Sequence, residues 1–130
     1  MRYVAQERFA DLQHLARTFR ANFLIVGALA ARQRDEILQT VQRQSGLEVL
    51  HAQRHSAFVL PAHSKVIVVL DDVCDLSRDD QDRLLDWISR HGSRVMSFAS
   101  RSPYAMVCAG TFVERLYYHL NTVCIVLGDE

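Results

Sequence analysis

Apolar positions along this chain follow two rhythms that alternate. Between Glu7 and Arg20, Phe9, Leu12, Leu15, Ala16 and Phe19 share one face at helical spacing. Asn22 to Gly27 (NFLIVG) is an unbroken apolar run closed by glycine, which predicts a buried strand. Arg34 to Gln44 places Ile37, Leu38 and Val41 on one helical face, with Gly46 as the stop. Leu47 to Leu50 predicts a weak strand, and His51 to Ser64, with Pro61 inside it, is the least regular stretch. Val66 to Leu70 (VIVVL) is the clearest strand, and Asp71-Asp72 follow at its C-terminal end.

The strongest helix comes next. Ser77 is a good N-cap with Asp80 in the capping-box position, and Asp79, Asp80 and Asp82 suit the positive end of the helix dipole. Leu84, Leu85 and Ile88, with Trp87 beside them, are the expected buried face, and Gly92 ends the helix. Arg94 to Ala99 predicts a strand, Ala105 to Tyr118 a helix broken at Gly110, and Thr122 to Leu127 a last strand. Strands apolar throughout, alternating with helices, imply an α/β fold: a doubly wound, mostly parallel sheet of about five strands with helices on both faces. Ligand sites in such sheets gather at the C-terminal strand ends, where Gly27, Asp71, Asp72 and Ser100 fall.

A length of 130 residues suits one domain, 1–130. The formal net charge of zero argues against a broad nucleic-acid-binding face, because such faces need excess cations. No apolar run approaches a membrane span, and Arg2, Gln6, Glu7 and Arg8 interrupt any signal-peptide core, so the expected location is the cytoplasm. Cys74, Cys108 and Cys124 are widely spaced, with no metal-type pairing, and read as reduced thiols. His51 and His55 have the i,i+4 spacing of a zinc pair on a helix, but Pro61 and mixed neighbours favour a polar loop and no metal. Two aspartates near Cys74 should raise its pKa and leave it inert.

Two segments carry a resemblance. Val68 to Ile88 reads VVLDDVCDLSRDDQDRLLDWI, and Gly110 to Val123 reads GTFVERLYYHLNTV. The acid pair, Leu-Ser, Gln, double Leu and FxExLYYxLN stand in the order and spacing of the sigma-54 activator branch of the AAA+ ATPases. Residues 66 to 127 are well covered, 7 to 44 more loosely, and 45 to 64 have no convincing counterpart. The resemblance implies an AAA+ domain acting at bacterial promoters.

Departures from the family pattern decide what the resemblance implies about chemistry. The family's GESGTGK phosphate loop is here Gly27 to Gln33, GALAARQ, with Gln33 in the lysine place. Asp71 matches the magnesium-supporting aspartate, while Asp72 replaces the glutamate that polarises water. Val113 and His119 replace two arginines that act across the subunit interface, and Arg115 stands in place of an aspartate. The GAFTGA loop has no counterpart before Lys65, and the chain stops at Glu130, before the family's helical lid. The acid pair then reads as a vestigial, solvated leftover, and no cofactor is expected.

The expectation is a non-catalytic regulatory or protein-interaction module with ATP binding and hydrolysis lost. Its partner would be a transcriptional regulator or the sigma-54 machinery, or a second copy, through an edge carrying Val113, Arg115, Tyr117, Tyr118 and His119. The alternative is a residual ATP-binding AAA+ subunit. A metal or redox sensor using the His and Cys residues is a weaker third reading, and a phosphoacceptor receiver domain is disfavoured because the acid pair lies past mid-chain.

Overall fold

A computed structural model of the chain describes residues 2–7, 13–14, 21–54, 57–63, 65–92 and 94–127. In chain order the elements are β1 (Arg2–Glu7), β2 (Phe23–Val26), α1 (Ala31–Ser45), β3 (Glu48–His51), β4 (Gln53–Arg54), β5 (Ala57–Phe58), β6 (Val66–Leu70), a 3-10 turn (Val73–Asp75), α2 (Arg78–His91), β7 (Val95–Ala99), α3 (Tyr104–Cys108), α4 (Glu114–Leu120) and β8 (Val123–Leu127).

The main sheet has six strands in the order β1-β8-β2-β7-β6-β3, and every neighbouring pair is parallel. Strands β2, β6 and β7 are buried along their whole length, because both faces are covered. Alternate side chains therefore feed two cores. Leu24, Val26, Val68, Leu70 and Val95 point to the side packed by α2 and α4, where Leu84, Trp87, Leu116 and Leu120 meet them. Phe23, Ile25, Ile67, Val69 and Met96 point to the opposite side, against Ile37, Leu38 and Val41 of α1.

The doubly wound parallel fold is as expected, with two differences. The sheet gains an edge strand, β1, which pairs with β8 from Arg2↔Val123 to Glu7↔Leu127. Glu7, expected at the start of a helix, lies in that strand, and most of the helix expected over 7–20 lies outside the described residues. The stretch after β3 adds a small antiparallel hairpin, with Gln53 opposite Phe58 and Arg54 opposite Ala57.

Helix α2 starts as expected: the Ser77 hydroxyl accepts the Asp80 N–H at 3.1 Å, and Gly92 closes the helix with φ 62°. Its inner face differs from expectation. Leu84, Trp87 and Ile88 are buried, Leu85 is only half-buried, and Gln81 is 1% exposed. The inward stripe runs 81, 84, 88 with Trp87 filling its edge, which rotates Leu85 toward the rim. The Trp87 indole donates to the Pro61 carbonyl at 2.8 Å and so ties the irregular stretch to the helix. Among the described residues, no helix is long and apolar enough to cross a membrane.

Candidate functional site

The C-terminal ends of β2, β3, β6 and β7 converge on Asp71 and Asp72. Asp71 is met from two directions. The His51 Nδ1 lies 3.0 Å from Asp71 Oδ1 and 3.3 Å from Oδ2, and the Arg34 guanidinium donates to the Asp71 backbone carbonyl at 2.9 Å. His51 is in β3, not on a helix, and His55 lies outside the described residues. Arg34 is further held over the Phe98 ring, 4.6 Å from its centroid.

Asp72 is fixed through both its side chain and its backbone. Its Oδ1 accepts the Cys74 N–H at 3.0 Å, capping the 3-10 turn, and its Oδ2 accepts the Ser100 hydroxyl at 3.0 Å. The Gln53 side chain reads its peptide groups, donating to the Asp72 carbonyl at 2.8 Å and accepting the Asp72 N–H at 2.9 Å. All four carboxylate oxygens of the pair are thus engaged by the chain itself. The two aspartates are half-exposed and also bonded within the chain, which the sequence did not announce.

Sequence reasoning missed Gln53, Arg34 and His51 as partners of the acid pair. Each lies 19 to 37 residues away along the chain, so no local pattern announces them.

The segment that the resemblance aligns with the phosphate loop forms local structure of its own. Residues 28–30 are extended or irregular, and α1 begins at Ala31. Gln33 turns back so that its Oε1 accepts the Ala30 N–H at 3.2 Å. Gly27 has φ 133°, donates its N–H to the Ala99 carbonyl at 2.9 Å, and packs so closely on β8 that a Cβ there would lie 2.9 Å from Leu127 Cβ. Its lack of a side chain is needed for that packing, whether or not a phosphate is ever present.

A cavity of about 340 Å³ opens beside the pair, toward the hairpin, lined by Gln53, Phe58, Asp71, Asp72, Asp75 and Asp80 among others. Neither Gly27 nor Gln33 lines it. Among the described residues, no group of His, Cys, Asp and Glu side chains is arranged to hold a metal ion. Burial pushes the Cys74 thiol pKa up from its ordinary value, and the Asp72 and Asp75 charges add to the rise, against a lowering contribution from the Arg101 contact. The thiol donates to the Arg101 carbonyl at 3.5 Å, a contact that, like the raised pKa, favours its neutral form.

The second expected site, around α4, is built from below by amides. The Gln81 Nε2 donates to the Leu76 and Thr111 carbonyls, at 3.1 and 3.2 Å, while its Oε1 accepts the Val113 N–H at 2.8 Å. Val113 is the N-cap of α4, so the buried amide sets where that helix starts. Asn22 accepts the Val95 N–H and donates to the His119 carbonyl at 2.9 Å, fixing the other end. With the Asn121 amide oriented to satisfy its neighbours, its nitrogen donates to the Tyr117 carbonyl and its oxygen accepts the Tyr117 hydroxyl at 3.2 Å.

Tyr117 is therefore half-buried and anchored, and burial raises its pKa. Tyr118 is 54% exposed and Tyr104 52% exposed, and Tyr117 touches both rings, with centroids at 5.8 Å to Tyr104 and 5.5 Å to Tyr118. Arg115 is exposed, while Val113 and His119 are partly covered. Of the expected interaction residues, Arg115 and Tyr118 face solvent, and Tyr104 joins them from α3.

Comparison with known proteins bears on both sites. The family described as Sigma-54 interaction domain matches residues 18–129. No curated protein matches the chain. Solved structures of NtrX from Brucella abortus share the fold. The one in complex with ATP is 15% identical, with a TM-score of 0.71 over 92% of this chain and 34% of that chain. The one in complex with ADP is 16% identical, with a TM-score of 0.70 over 95% of this chain and 37% of that chain. The chain thus spans about a third of the length of the solved structures it matches.

Proposed function

Because this chain belongs to the Sigma-54 interaction domain family, we propose that it is a non-catalytic regulatory and protein-interaction module of sigma-54-dependent transcription, working in the cytoplasm without bound nucleotide. The observation that carries this reading is that the acid pair is held by its own chain. Each Asp71 and Asp72 carboxylate oxygen already accepts one hydrogen bond, from His51, Cys74 or Ser100, and a magnesium ion would have to compete with them.

Two further features support it. A phosphate loop cradles its ligand with successive backbone N–H groups and a lysine, whereas here Gln33 binds the Ala30 N–H and Arg34 is drawn away to the Asp71 carbonyl. The neighbouring cavity is lined by four aspartates, a field that repels a polyphosphate. What remains is a well-packed scaffold presenting α3 and α4, and the partner class it suits is another protein of the same regulatory machinery.

Isothermal titration of the chain with ATP and magnesium tests the reading. The expected outcome is no binding tighter than about 1 mM. A micromolar dissociation constant would overturn it and favour the residual ATP-binding subunit instead.

A further inference from the structure

We draw no further inference here: the strongest candidate, the cavity lined by Asp71, Asp72, Asp75 and Asp80 beside the β4–β5 hairpin, belongs to the site already described and is a cluster of acidic side chains with no second feature that points to a ligand.

Discussion

The Gln33 side-chain oxygen accepts the Ala30 backbone N–H at 3.2 Å, so the residue that the resemblance sets at the phosphate-loop lysine closes the start of its own helix. Restoring the lysine alone is therefore expected to fail. Gln33→Lys leaves Arg34 on the Asp71 carbonyl and leaves Ala at 28, 30 and 31. Fluorescence titration with an ATP analogue should show the variant binding no better than the parent. A gain to micromolar affinity would mean that the loop can still form a phosphate nest.

Gly27 has to lack a side chain for a packing reason. With φ at 133° and a virtual Cβ 2.9 Å from Leu127 Cβ, Gly27→Ala combines backbone strain with a clash at the β2–β8 contact. The expected loss of stability is about 1–3 kcal/mol, read by denaturant unfolding. A melting curve equal to the parent's would show that β8 does not press on this position.

Two leucines adjacent in α2 should behave differently. Leu84 is fully buried and Leu85 is half-buried. Leu84→Ala is expected to cost about 2–5 kcal/mol and Leu85→Ala clearly less. Equal costs would mean that the helix is rotated from its described setting. Loss of the cap in Ser77→Ala should cost about 1 kcal/mol.

Gln81 is the buried polar group with most to lose. Truncation in Gln81→Ala leaves the Val113 N–H and the Leu76 and Thr111 carbonyls without this partner. A loss of roughly 1–3 kcal/mol is expected. Hydrogen exchange should localise the loosening to α4, and faster exchange spread evenly over the chain would argue against the splint.

Alkaline pH should destabilise the fold. Burial raises the thiol pKa of Cys124 and of Cys74 above the ordinary 9.0. In the unfolded chain these thiols ionise at the ordinary value, before the folded chain lets them. Stability is thus fully present below pH 9.0 and is lost as pH rises through the raised folded values. Thermal unfolding in a buffer series should show a flat neutral region and a fall above it. Cys124→Ala should shallow that fall, and an unchanged slope would exclude the thiol as its source.

The sheet was legible because its central strands are continuous apolar runs, NFLIVG and VIVVL, that only a sheet covered on both faces explains. Helix α2 was legible through Ser77 and Gly92. Strand β1 was not, because Arg2, Gln6 and Glu7 give RYVAQE no apolar continuity and it pairs on one side only. The acid pair could be found as a pair, but not the partners that hold it. Asn22 shows the general reason: it binds Val95 and His119, 73 and 97 residues away, and only the fold brings such partners together.

An acid pair that accepts its hydrogen bonds from its own chain has one state rather than two. A ligand shifts a protein only by preferring one available conformation over another, and on the proposed reading the contacts of His51, Ser100 and Arg34 with the acid pair leave a nucleotide nothing to choose between. If the proposed reading holds, a domain so constructed does not register the energy status of the cell. Its influence on a partner would follow its copy number, set by synthesis and turnover, and doubling its dose would do what nucleotide exchange does for a working ATPase.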